Sequence, residues 1–507
     1  MPSLEIDKGE GEGGGEEGAS YLSAVVNLAK LCIGTGILAL PFATLKGGLL
    51  FAPLGIGIIA FWNWISCRSM ISAKYASLHK PSPDGLSSTF SRIAYCSGGW
   101  AAVYLTDASI IITLLGVCIT YQITFSKLME DFLQSQGVNN VSSSHMSLFT
   151  MLILAPPVVL TTDVSRLTHF SVAGLFMLLV GVAAIVLFGV SFYGNEVLSG
   201  SDPDTLQVLP LWPQSLEDFS AFIGIATFGF GVCSLVFPVE ESMKDKAQFN
   251  AAAFAALLLV WITYSVMGAG VSALFIHDPH GIAGNILENL PQKSLTAEIV
   301  RVSFSIVCLL TYPLAFIPPA AMTESYILRS LGQSGNGTDV DSPMSTQSRL
   351  TFVQQWFTDY EAISSHNPDS SRLAASSRSS TSLSGTRSGP ESLVHPNEGS
   401  QSVRKASALL RYANRITMLA LCTSVSTNYP CFGMLVSLLG CFTVTILSFV
   451  LPPFFRLMLV SMPASDTSGI YPVLIDILMT GLGALLCITS TLVITRQILF
   501  SDHEDVC

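Results

Sequence analysis

Two short stretches hold the residues best suited to bind a small charged ligand. The first, NLAKLCIGTGILALPFATLKGG at 27–48, sets Gly34 and Gly36 around Thr35, just downstream of Lys30. The second, AFIGIATFGFGVCSLVFPVEESMK at 221–244, sets Gly229 and Gly231 around Phe230, ahead of Glu240 and Glu241. Glycine weakens a helix. A helix that unwinds in a bilayer frees N–H and C=O groups that lipid cannot satisfy, so such a gap persists only where it lines a polar cavity or holds a ligand. The chemistry is electrostatic. The N–H groups of Thr35, Gly36, Ile37 and Leu38 would open a half-helix at its positive end and suit a carboxylate. The carbonyls of Thr227, Phe228, Gly229 and Phe230 would close another and suit an ammonium group. An α-amino acid carries both charges, and its side chain would then enter a separate pocket, for which Phe228, Phe230 and the region of Gly116 are candidates. The alternative for both glycine pairs is close helix packing.

Charged residues inside apolar stretches form a second group, since each is costly to bury in a bilayer. Asn27, Lys30 and Gly34 share one helix face by their spacing of three and four. Lys30 can pair with Glu240 or Glu241 as a gate, or reach toward the headgroups. Asp107 can carry a proton or form a structural hydrogen bond to a neighbouring helix. Asp476 suits a packing or dimer contact. His277 and His280 fall in a loop and are assigned no role. Ser303, Ser305 and Thr311 offer hydroxyls to a sodium ion, so proton and sodium coupling both stay open.

The elements that would position these residues follow from composition. Of 507 residues 50% are hydrophobic and 12% charged, against roughly 25% charged in soluble domains. The chain reads as a polytopic membrane protein. Spanning the hydrocarbon takes about 20 helical residues, and eleven such runs lie near 21–43, 47–72, 100–129, 147–162, 167–193, 219–241, 249–276, 297–328, 408–427, 431–460 and 470–499. The fourth is short and contains Pro156 and Pro157. The glycine pairs fall in the first and sixth runs, the leading members of two five-helix sets. Because five is odd the second set enters the membrane inverted, and interrupted helices at matching places of inverted repeats point to a transport site.

Lys74, Lys80 and Arg92 follow the second run, whereas 130–146 and 193–218 hold acids without lysine or arginine. The N-terminus is therefore expected in the cytosol. Residues 1–20 are acidic and glycine-rich rather than basic and apolar, so the first run is expected to act as its own targeting signal. Runs one to eight occupy 21–330 and the last three 406–500, with a short tail at 501–507. Between them, 331–405 is rich in serine and reads as a disordered cytosolic loop. In that loop Val353, Trp356, Phe357 and Tyr360 repeat at helical spacing, which suits a short amphipathic helix on the bilayer or a cytosolic partner. RKAS at 404–407 offers a serine to a kinase. The cysteines lack metal-ligand spacing, so no metal site or disulfide framework is expected. The net charge of −11 excludes a nucleic-acid face. No cofactor-binding loop or catalytic constellation appears, so no enzyme is expected.

The motifs resemble the amino acid/auxin permeases, the amino acid transporter transmembrane family, and within it the proton-coupled branch. The Asn-Leu-x-Lys start, Ile-Gly-Thr-Gly core and downstream Leu-Pro of 27–48 are similar to that branch's first helix. Phe228, Phe230, Pro238, Glu240, Met243 and Lys244 are similar to its sixth, and LLTYPLAFIPP at 309–319 to its eighth. The branch often has a glutamate where this chain has Gly231. The resemblance implies an all-α fold of eleven transmembrane helices on the leucine-transporter-type 5+5 inverted repeat. It also implies alternating access and import of amino acids into the cytosol across a plasma, vacuolar or lysosomal membrane. Small neutral amino acids are the expected substrates. Auxin-like or polyamine cargo and an amino-acid sensor are the alternatives.

Two glycosylation sequons test this topology. Asn140 lies in a loop expected outside and Asn336 in the cytosolic loop, so Asn140→Gln should abolish the glycosidase-sensitive gel shift and Asn336→Gln should leave it unchanged.

Overall fold

The computed structural model describes residues 20–83, 86, 88–138, 143–160, 168–199, 210–231, 233, 236–276, 281–291, 294–333, 398–460 and 470–500. Its regular elements there are helices. They are α1 (Tyr21–Cys32), a 3-10 turn (Thr35–Ala39) leading into α2 (Leu40–Gly47), α3 (Phe51–Ser77), α4 (Thr89–Ser135), α5 (Ser143–Leu160) and α6 (Thr168–Ser199). Next come α7 (Leu216–Gly229), α8 (Val236–Ser242), α9 (Phe249–Ser265), α10 (Val271–Phe275) and α11 (Leu295–Gln333). The chain closes with α12 (Glu398–Asn428), α13 (Phe432–Leu439), α14 (Leu451–Val460) and α15 (Ile470–Phe500). π-helical turns join α9 to α10 at Val266–Gly270 and α13 to α14 at Gly440–Val444 and Ile446–Val450.

Among the described residues six helices are long and apolar enough to cross a membrane, and the bent pair Tyr21–Lys30 and Thr35–Gly47 makes a seventh. The apolar helices His145–Val159 and Phe176–Ser191 are shorter. Large apolar side chains face outward on these helices, including Leu478, Leu485 and Leu492 of α15. In a bilayer such faces meet lipid rather than water.

Three boundaries differ from the sequence expectation. α4 starts well before residue 100 because it is two helices joined at a corner, where Gly98 and Gly99 leave helical geometry. Gly99 there takes φ 64°, a left-handed conformation that costs glycine least. α5 continues through Pro156 and Pro157. α11 reaches Gln333 and α12 starts at Glu398, so helix enters both ends of the segment expected to be loop. The remainder of that segment lies outside the described residues, as do Asn140, Asn336, His277, His280 and the aromatic cluster at 353–360.

Packing brings the first and sixth runs together. α7 lies against α2, α13 and α15; α9 lies against α1 and α3; α11 lies against α4 and α6. Small residues make the closest approaches. A Cβ on Gly440 would overlap the backbone carbonyl of Gly224, so α7 and the turn after α13 touch backbone to backbone. Nine cysteines among the described residues are free thiols, eight of them buried, whereas Cys431 is disulfide-bonded, a bond that cysteine spacing alone did not lead one to expect. Asp476, fully buried on α15, accepts from Nη1 of Arg456 on α14 at 3.0 and 2.9 Å. That pair gives Asp476 a packing role between the last two runs.

Gly440→Ala should cost about 3 kcal/mol or more, because backbone rather than a side-chain tip must give way. Gly481→Ala on α15, where an added Cβ meets nothing within 4 Å, should be neutral or stabilise by up to about 1 kcal/mol. Thermal unfolding of the two purified variants measures the contrast.

Candidate functional site

α1 stops at Cys32 and the chain runs extended through Gly34 (φ −123°, ψ −160°) before winding again as a 3-10 turn at Thr35. The two halves are bent by 54°. Gly34 N–H turns back to the Cys32 carbonyl at 2.9 Å, and the second half opens with Ile37 N–H donating to the Gly34 carbonyl at 3.2 Å. The N–H groups of Thr35 and Gly36 precede that bond and have no acceptor within the helix. They point the positive end of the second half at the break.

α7 stops at Gly229. Phe230 leaves helical geometry (φ −104°, ψ 29°), its N–H held by the Thr227 carbonyl at 3.0 Å, and helix resumes at Val236. The two interruptions meet. A Cβ on Gly36 would lie 3.1 Å from the Phe228 ring and 3.9 Å from the Cα of Gly229. By contrast, a Cβ on Gly34 or Gly231 would meet nothing within 4 Å, so there is open space beside both breaks. The Thr227 hydroxyl is buried with no hydrogen-bond partner in the described structure.

The structure therefore brings Gly34, Thr35, Gly36, Ile37 and Leu38 together with Thr227, Phe228, Gly229 and Phe230, all buried except the partly covered Gly34 and Phe228. Gly116 marked the third pocket candidate. Leu439 of α13 fills the space where its Cβ would be, so it packs rather than lining a pocket.

The charged candidates lie elsewhere. Glu240 on α8 is fully buried; Lys74 Nζ of α3 reaches its Oε2 at 2.7 Å and the Tyr75 hydroxyl its Oε1 at 2.5 Å. Lys74 also bonds Glu241 at 2.5 Å. Both Glu240 oxygens are thus held from α3, where the sequence offered Lys30, which sits half-buried on α1. Lys74 and Tyr75 were missed because Lys74 was counted only as a loop charge. Asp107 on α4 accepts from Ser91 Oγ at 3.1 Å and from the Tyr326 hydroxyl of α11 at 2.5 Å. The structural hydrogen bond to a neighbouring helix therefore exists. Tyr264 was also missed, although a tyrosine buried mid-run in an apolar helix must find an acceptor for its hydroxyl. It donates to the carbonyls of Cys32 and Gly229 at 2.6 and 3.0 Å. Among the described residues no group of three or more histidines, cysteines or acids could hold a metal.

Apolar helices of this length, with a helix broken in mid-span and a second interruption pressed against it, define an integral membrane protein with a backbone-lined site. The chain matches the family described as transmembrane amino acid transporter protein over residues 17–496, and it belongs to that family. It is 24% identical to vacuolar amino acid transporter 4 of Saccharomyces cerevisiae over 59% of its length and 40% of that protein's. Vacuolar amino acid transporter 3 of the same yeast is 25% identical over 62% of this chain and 43% of its own length. A putative sodium-coupled neutral amino acid transporter 10 of Xenopus laevis is 24% identical over 63% of this chain and 29% of its own. The chain thus spans under half the length of these relatives. Among solved structures, the crystal structure of MhsT in complex with L-phenylalanine superposes with a TM-score of 0.43 at 11% identity, covering 95% of this chain and 100% of that one.

Lys74→Met should destabilise the protein by about 3–5 kcal/mol by stranding a buried carboxylate. Adding Glu240→Met should recover most of that loss, as read by tryptophan-fluorescence melting in detergent.

Proposed function

We propose that this protein is a secondary active transporter that carries small neutral amino acids toward the cytosol by alternating access, coupled to protons. The observation that carries the reading is the meeting of the two interruptions, Gly36 against Phe228 and Gly229, in a chain of the transmembrane amino acid transporter family. The substrate carboxylate faces the N–H groups of Thr35 and Gly36, and its ammonium group faces the carbonyls around Gly229 and the Thr227 hydroxyl. Only an α-amino acid with both ends free satisfies both sides.

Eleven crossings in two inverted sets of five plus one, with the N-terminus in the cytosol, agree with the loop charges. In that frame Lys74 and Glu240 stand at the cytosolic ends of α3 and α8, where breaking their ion pair opens the inner side, with Lys30 on the adjoining end of the path. Asp107 is the proton carrier, its carboxylate ready between two hydroxyl donors. Similarity to vacuolar amino acid transporters of yeast favours a vacuolar or lysosomal membrane over the plasma membrane. The frog relative's name favours sodium instead, and Ser305 of α11 offers a buried hydroxyl with no partner in the described structure. Residues 331–407 remain the segment for a cytosolic partner or kinase.

Proteoliposomes with an imposed pH gradient should accumulate L-alanine but neither N-acetylalanine nor alaninamide. Asp107→Asn should remove the dependence on the pH gradient. Equal uptake of a capped analogue, or alanine binding with no flux as in a sensor, would overturn the reading; accumulation driven only by a sodium gradient would replace the proton.

A further inference from the structure

Tyr264 occupies a place that neither gate nor coupling explains. It is fully buried on α9, with its ring edge-on to Phe230 at 5.3 Å between centroids. Its hydroxyl reaches the last carbonyl of α1, on Cys32, at 2.6 Å and the last carbonyl of α7, on Gly229, at 3.0 Å. These are the negative ends of two half-helices, each carrying roughly half an elementary charge. Brought together in a low-dielectric interior they repel; the Cys32 carbonyl also accepts from Gly34 N–H at 2.9 Å, and the phenol adds one donor that reaches both ends.

The neighbouring contacts fix Tyr264 in register with the broken helix. One and two turns further on, Gly268 packs on the Thr44 hydroxyl of α2, and Ser272 Oγ donates to the Pro41 carbonyl at 2.9 Å. One face of this helix thus grips both halves of the first broken span. The ring also needs a glycine opposite, because a Cβ on Gly229 would lie 2.7 Å from its Cε2.

We propose that Tyr264 is a positioning residue for the ligand site: its hydroxyl ties the carbonyl ends of α1 and α7 together and cedes the Gly229 carbonyl to an incoming ammonium group. A phenol has one proton to share between two acceptors, and the shorter bond is to Cys32. When a ligand with its own N–H donors takes Gly229, the hydroxyl keeps Cys32 and no carbonyl is stranded. In the empty protein the same proton does what the ammonium does later. The tie stands on geometry alone, and the handover rests on the amino acid reading above.

Tyr264→Phe keeps the ring and removes the tie. Alkylation of Cys32 by N-ethylmaleimide, followed by peptide mass mapping in membranes, should accelerate at least fivefold. Cys118, equally buried on α4, should keep its rate. Equal rates at Cys32, or a parallel rise at Cys118, would overturn the tie. Should Tyr264→Phe fail to fold, Gly229→Ala displaces the ring instead and should give the same selective rise. In alanine uptake, Tyr264→Phe removes the donor that competes for the Gly229 carbonyl and should lower KM about tenfold with Vmax within twofold; an unchanged or raised KM would overturn the handover. Wild-type liposomes that take up no amino acid would refute the transport reading, and the Cys32 comparison would still decide the tie.

Discussion

A peptide group inside a bilayer has no water to turn to, so every break in a spanning helix must be compensated by protein or ligand. The site is built around that constraint. Gly34 N–H folds back on Cys32, Phe230 N–H folds back on Thr227, and Tyr264 serves the two carbonyl ends. What these bonds leave over are the N–H groups of Thr35 and Gly36 and a buried threonine hydroxyl. The surplus is polar on both signs and sits beside open space. A packed interface of small residues would have filled that space with neighbours, as happens at Gly440 and Gly116.

The contrast between these glycines explains how much was legible in the chain. Composition and run length located the helices, because apolar length is a local property. The paired glycines located the breaks, since a symmetric recurrence in the first and sixth runs is itself a pattern in sequence. At Gly116 the glycine alone does not tell whether a leucine or a ligand faces it, and the structure places Leu439 there. The Gly98–Gly99 corner was overlooked for the same reason: adjacent glycines ahead of an apolar run look like loop until the helix before them is seen to continue.

Partners across the fold were the least legible. Lys74 and Glu240 lie far apart in the chain, as do Tyr264 and Cys32, and no spacing rule links them. The sequence showed that Glu240 needed a cation and that Lys30 was available. Lys74 was equally available, at the end of the second run, and the packing of α3 on α8 brings it to Glu240. Burial supplied half of each pairing and topology the other half.

The polar bonds, taken together, sort the helices into two groups. α4, α5, α11 and α12 are joined by Asp107 with Tyr326, by Gln122 with Tyr312 and Thr423, and by Arg415 with Glu324 and the Val158 carbonyl. α1, α2, α3, α7, α8 and α9 are joined by Tyr264, by Lys74 with Glu240, by Lys46 with Asp218 and by Trp261 with the Pro53 carbonyl. Contacts from α4 toward the α13–α14 helix are softer: Leu439 fills the notch at Gly116, and Thr113 meets Thr443 at 2.7 Å. Apolar surfaces slide at little cost when the area in contact is kept, whereas a buried ion pair costs several kcal/mol to separate. Motion of one group against the other therefore spares the bonds that hold each together.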